Sequence, residues 1–195
     1  MAARRFSQAI SEGDGISVLV EVGDLDGARA AEADGAEAIV LRVPLDGIRN
    51  ATELPILWRA EGPLADAVRA GADACLVVVG DRDEEEDRLA ALQRESLALG
   101  MDFVVEVRDE DELEWANEEL DPEIFLLAGP AEEDESPIGR ALELLPDVPA
   151  GKLAVADVPV LNREQVDQLE RAGVDAVIVG VRDVASLVGD GHPPV

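Results

Sequence analysis

The chain has 195 residues, 47% of them hydrophobic and 3% aromatic, and carries 44 Asp plus Glu against 16 Lys plus Arg, a formal net charge of −28. That size and apolar content suit one compact domain or two small ones and exclude a wholly disordered chain. Lys152 is the only lysine and the arginines are scattered, so no basic patch exists to offset the repulsion a nucleic-acid backbone would meet, and no nucleic-acid partner is expected. The apolar runs are strand-length, too short to cross a membrane. Met1-Ala2-Ala3-Arg4-Arg5 is not followed by the apolar stretch of a signal peptide. A cytoplasmic, soluble protein is expected, and its charge favours a monomer.

In chain order, an N-terminal extension (1–15) precedes a single domain (16–188) and a short tail (189–195). Strands are predicted at Ile16–Val22, Glu37–Val43, Leu54–Trp58, Asp73–Val79, Met101–Val107, Glu123–Leu127, Lys152–Ala156 and Asp175–Val179. Several are continuous apolar runs, the pattern of parallel strands covered by helices. The segments between them carry helix signals. Asp83 with Glu86, Asp109 with Glu112 and Asn162 with Gln165 have capping-box spacing, and Gly62-Pro63 and Ser136-Pro137 set a proline at a helix start. The segments after the second and last strands are the weakest helices.

One phrase recurs. Asp34-Gly35-Ala36-Glu37-Ala38-Ile39-Val40, Ala70-Gly71-Ala72-Asp73-Ala74-Cys75-Leu76 and Ala172-Gly173-Val174-Asp175-Ala176-Val177-Ile178 share a pattern, with Leu99-Gly100-Met101-Asp102-Phe103-Val104 as a looser copy. The glycine suits the left-handed residue that ends a helix, and the apolar run is the next strand. A βα unit written several times, with eight strands in all, predicts a minimal α/β TIM barrel, (β/α)8, with short loops, although typical barrels have roughly 250 residues. An open doubly wound sheet ranks second, because Val22-Gly23-Asp24-Leu25-Asp26-Gly27 lacks the glycine spacing of a dinucleotide turn.

A barrel places its site at the C-terminal ends of the strands. Those positions hold Glu21, Gly23, Arg42, Arg59, Glu61, Asp81, Glu106, Arg108, Gly129, Asp157 and Gly180. Glu21 and Glu106 interrupt otherwise apolar strands, and a carboxylate there needs a partner or a function. The partner reading pairs them with Arg59 or Arg42 across the barrel; the functional reading makes them site residues. Both stay open on position alone.

These residues carry a family resemblance. Glu21-Val22, Leu54-Pro55-Ile56-Leu57, Ala70-Gly71-Ala72-Asp73-Ala74, Val105-Glu106-Val107-Arg108-Asp109-Glu110-Asp111-Glu112-Leu113 and Ala172-Gly173-Val174-Asp175-Ala176-Val177-Ile178-Val179-Gly180 resemble segments of the indole-3-glycerol-phosphate synthases, over most of residues 16–182. The resemblance implies an enzyme of tryptophan biosynthesis that closes an indole ring with loss of CO2 and water. It further implies a lysine general acid at the end of strand three, a second lysine on strand one, glutamates on strands one and five, and turns after strands seven and eight that hold a phosphate.

Carried across, Glu21 and Glu106 match, Asp157 stands where a glutamate is usual, and Gly180 matches the last phosphate-loop glycine. Gly23 replaces the strand-one lysine and Arg59 the general acid. Leu127-Ala128-Gly129-Pro130 and Asp157-Val158-Pro159 replace polar runs, and the N-terminal lid is too short to cover the site. Arginine holds its proton too tightly to donate it. Pro159 removes a backbone donor from the phosphate turn. A degenerate site of Glu21, Arg59, Glu106 and Asp157, with weak phosphate binding at Gly180 and little or no synthase activity, is the expectation. No cofactor and no metal are expected. The ligand implied is small and anionic or phosphorylated. The alternatives are a non-catalytic small-molecule or partner-binding barrel, and a lyase or isomerase holding a hard cation such as Mg2+ on Glu21, Glu106 and Asp157.

The remaining signals read blandly. The acidic runs Glu84-Glu85-Glu86-Asp87 and Glu132-Glu133-Asp134-Glu135 are solvated helix starts, without the spacing of a calcium loop. Cys75 is a core hydrophobe, and His192 lies in the tail. No serine has a histidine partner of triad type. Trp58 and Trp115 are packing residues, with Trp58 near enough to the rim to touch a ligand.

Overall fold

The structure is a computed structural model that describes residues 5–12, 15–59, 62–80, 82–128, 138–158, 162–180 and 184–187. Eight parallel strands close into a barrel in chain order: β1 (Ser17–Glu21), β2 (Ala38–Leu41), β3 (Ile56–Trp58), β4 (Ala74–Val78), β5 (Asp102–Val107), β6 (Ile124–Leu127), β7 (Leu153–Asp157) and β8 (Ala176–Gly180), with β8 paired back onto β1. All eight predicted strands are present within a residue or two of their expected ends. This is the TIM barrel that the repeat predicts.

A helix follows each strand: α2 (Leu25–Ala33), α3 (Ile48–Ala51), α4 (Leu64–Arg69), α5 (Arg82–Ala98), α6 (Glu110–Glu119), α7 (Gly139–Leu144), α8 (Arg163–Ala172) and α9 (Val184–Leu187). The two segments with weak helix signals, α3 and α9, are single turns of four residues. Asn162 and Gln165 form a complete capping box on α8. On α6 only half of the expected box forms. Asp109 accepts from the Glu112 N–H at 2.8 Å, but the Glu112 carboxylate turns to the Arg108 N–H instead. Pro63 occupies the cap of α4 rather than its first helical position. Ser136-Pro137, Glu132–Glu135, His192 and the tail 189–195 lie outside the described residues, as do the side chains of Asp83 and Glu86.

The repeated phrase has a double use. Gly35, Gly71, Gly100 and Gly173 each have positive φ, 68° to 102°, where a side chain would be strained, and each closes a helix into the next strand. The acid two residues further on then reaches sideways. Glu37 accepts from the Val18 N–H at 2.8 Å, Asp73 from the Ile56 N–H at 2.9 Å and Asp175 from the Ala154 N–H at 2.7 Å. Each bond satisfies a backbone donor at or next to the start of the strand one unit earlier. The phrase thus joins successive βα units as well as ending helices.

Inside the barrel, alternate strands contribute alternate layers, as the registers dictate. Leu19, Leu57, Val104 and Val155 form a layer from odd strands, and Val40, Leu76, Leu126 and Ile178 form the layer above from even strands; all belong to one buried cluster. Below them Ala38, Ala74 and Ala176 are small. The space they leave is filled by Phe6 and Ile10 of α1 (Arg5–Ser11), which join the same interior cluster at 0% and 2% exposure. The Ser7 N–H donates to Asp102 at 2.7 Å, and Asp102 begins β5, so α1 sits at the N-terminal end of the strands. Helix α1 therefore forms the barrel's floor, opposite the mouth.

Candidate active site

Continuing the layers upward puts Glu21 (end of β1), Arg59 (just after β3), Glu106 (β5) and Asp157 (end of β7) in one odd-strand layer at the mouth. Arg59 Nη2 donates to Glu106 Oε2 at 3.0 Å, and Nη1 forms a short ion pair with Asp157 Oδ2. A guanidinium beside β3 can meet a carboxylate on β7, halfway round the ring, only through the lumen. These contacts therefore fix the orientation of three of the four predicted site residues as inward. The side chains of Arg59 and Glu106 are each 12% exposed and that of Asp157 25%. Arg59 Nη1 is out of reach of solvent.

Burial acts to lower the Arg59 pKa, but the charge and hydrogen bonding of Asp157, and then of Glu106, outweigh it and raise it above its ordinary value. The proton is held more firmly than in a free arginine, which itself does not donate. The expected ion-pair partnership is present, but Arg59 serves Glu106 and Asp157. Glu21 pairs separately with Arg42, whose Nε donates to Glu21 Oε2 at 2.8 Å on the more open side of the rim.

Above this layer the even strands supply Arg42, Val78, Ala128 and Gly180. Gly180 ends β8 in register with Glu21 on β1, and β7 with Asp157 lies on its other side. Gly23 is exposed, and a side chain there would meet open space. Arg108 is drawn away from the mouth. It donates to both oxygens of Glu112 on α6 and to the Val79 carbonyl, and the Glu112 hydrogen bond raises its pKa against a smaller effect of burial. Trp58 points outward, 4% exposed in the layer between sheet and helices, and does not line the mouth. Glu61, Asp81 and Gly129 lie outside the described residues.

Cys75 is buried, and burial pushes its thiol up to about 11, as suits a packing residue. Among the described residues no group of three or more His, Cys, Asp or Glu is placed to hold a metal ion. Arg59 supplies the positive charge between Glu106 and Asp157 where a hard cation would have to sit. No described helix is long and apolar enough to cross a membrane.

The fold and rim define a (β/α)8 barrel whose mouth carries an arginine neutralised by two carboxylates. Comparison with known proteins gives the lineage: the family model for indole-3-glycerol phosphate synthase matches residues 14–185, and the chain belongs to that family. Among solved structures, the tryptophan synthase complex of the hyperthermophile Pyrococcus furiosus superposes with a TM-score of 0.66 at 17% identity, covering 87% of this chain and 88% of that one. A variant of the tryptophan synthase alpha-subunit from the same organism superposes with a TM-score of 0.67 at 18% identity over the same shares. At such identities these likenesses speak for the barrel alone.

Two features of the site were not settled by the sequence. The diversion of Arg108 to Glu112, four residues on, was hidden because Glu112 also stands three residues after Asp109, the spacing of an ordinary capping box. The pairing of Glu21 with Arg42 rather than Arg59 depends on which side chains share a layer, and so on the barrel's stagger.

Proposed function

We propose that this chain is a member of the tryptophan-biosynthesis lineage that no longer closes the indole ring, and that its barrel serves as a small-molecule-binding protein. The observation that carries the reading is the state of Arg59. Ring closure and dehydration in this family call for a lysine that gives up a proton at that position. Here the position holds a cation with a raised pKa, buried between Glu106 and Asp157. Loss of a general acid alone typically slows a reaction by about 10²–10⁴-fold. The carboxylates that would assist are themselves engaged, Glu106 and Asp157 by Arg59 and Glu21 by Arg42. Gly23, just after the first strand, offers no ammonium.

The test is genetic. Expressed in a strain lacking its own synthase, the chain is expected not to restore growth without tryptophan. Robust growth would overturn the proposal. The double substitution Arg59→Lys with Gly23→Lys separates lost catalytic groups from a lost substrate grip, since position 23 has room for the new side chain. Growth restored only by the double variant would show that the substrate grip survives.

A further inference from the structure

Beyond what the barrel binds, we propose that Asp46 is a site of spontaneous modification, where the residue converts to isoaspartate through a cyclic imide formed with Gly47. An Asp-Gly step is the reactive kind, because glycine has no side chain to shield its amide nitrogen from the neighbouring carboxyl carbon. Three such steps lie among the described residues: Asp26-Gly27, Asp34-Gly35 and Asp46-Gly47. In two of them the fold occupies the nitrogen. The Gly27 N–H donates to Asp24 Oδ1 at 2.7 Å inside α2, and the Gly35 N–H donates to the Glu32 carbonyl at 3.2 Å where α2 ends. Gly47 differs. Among the described residues its N–H makes no hydrogen bond, and the Asp46 carboxylate has no hydrogen-bond or ion-pair partner.

Asp46 and Gly47 are both exposed, in the loop that leaves β2 for α3 on the mouth side of the barrel. The reaction needs no partner but water. The Gly47 nitrogen gives up its proton and attacks Cγ of Asp46, and an oxygen of that carboxyl group leaves as water, closing a five-membered imide. Water then opens the ring. Addition at Cγ restores aspartate, and addition at the main-chain carbonyl carbon leaves isoaspartate with a free α-carboxylate. The main chain now runs through Cβ and Cγ of residue 46 and is one carbon longer. Both flanks of the loop are pinned. Leu41 is buried in β2, Ile48 is buried in the core, and Arg49 donates to the Leu54 and Gly71 carbonyls at 2.7 and 2.6 Å. The added carbon is therefore taken up within residues 42–47, which begin with Arg42 at the rim.

The experiment ages the full chain in warm neutral buffer, digests it with trypsin and maps the peptides. Cleavage after Arg29, Arg42 and Arg49 releases residues 30–42, with Asp34-Gly35, and residues 43–49, with Asp46-Gly47, each holding a single aspartate. The two forms of a peptide have equal mass, so chromatography separates them and electron-transfer fragmentation identifies the isoaspartate. It is expected to build up in 43–49 about tenfold faster than in 30–42, the population change that breaking one hydrogen bond typically costs. In chain unfolded by guanidinium chloride the two peptides should form it at similar rates. Asp46→Glu keeps the charge at an exposed position and should abolish the second form of 43–49, because glutamate must close a larger, slower ring. Equal rates in the folded chain, or a faster rate in 30–42, would overturn the proposal. So would a second form of 43–49 that persists in Asp46→Glu, or no isoaspartate at Asp46 over the time in which the unfolded chain converts.

Discussion

Arg59 is the residue on which the mouth is built. Removing one member of a buried ion cluster leaves the others uncompensated, and such losses cost about 3–5 kcal/mol. Arg59→Ala should destabilise the barrel on that scale at neutral pH, measured by urea unfolding. A neutral substitution there costing under about 1 kcal/mol would mean that the cluster is solvated rather than buried. Asp175 and Glu37 make a second case. Burial raises the pKa of each, against hydrogen bonds from the Ala154 and Val18 N–H groups that lower it. With the folded pKa above the unfolded one, their contribution to stability is fully present below the unfolded pKa and is lost as pH rises through the folded value. Asp175→Asn keeps an acceptor for Ala154 and should change neutral stability by under about 1 kcal/mol while flattening that slope. Asp175→Ala strands the donor and should cost about 1–3 kcal/mol. Equal costs would contradict this account of the repeat.

The floor shows what a single short helix does for the barrel. Phe6 and Ile10 occupy the space above which Ala38, Ala74 and Ala176 present only methyl groups. Phe6→Ala should therefore cost about 3–5 kcal/mol, as for a buried aromatic whose cavity cannot collapse, read from the urea midpoint. A loss below about 1 kcal/mol would place the ring outside the core. This helix was missed in the sequence because Phe6, Ala9 and Ile10 give helical spacing over only one turn of a seven-residue segment, too short to stand out as a period. The strands were legible for the opposite reason. Runs such as Val18-Leu19-Val20 and Ala74-Cys75-Leu76-Val77-Val78 are apolar on both faces, which only a strand buried on both sides requires. The site was half legible. Position in the chain placed Glu21, Arg59, Glu106 and Asp157 at strand ends, but which acid meets which arginine depends on the stagger of a closed sheet.

For the whole molecule, the net charge of −28 dominates. Along α6, Glu110, Glu114 and Glu118 are exposed and spaced by four, and no basic residue lies on that helix. Each like-charge pair of this kind costs about 0.2–0.5 kcal/mol, and salt screens it. Raising NaCl from low concentration to half molar should increase unfolding stability by on the order of 1 kcal/mol or more from several such pairs. Stability that falls with salt would show that attractive pairs such as Arg59 with its two acids outweigh the surface repulsion. The same charge opposes self-association, so the chain should sediment as a monomer at low salt.

The claim at the centre is that a guanidinium locked between two carboxylates cannot stand in for a proton-donating amine. A single-turnover assay of the purified chain, with excess protein over the phosphorylated anthranilate substrate and indole formation followed directly, tests it most directly. The account predicts no product above the uncatalysed background. Ring closure at an enzymatic rate that disappears in Arg59→Ala would contradict it.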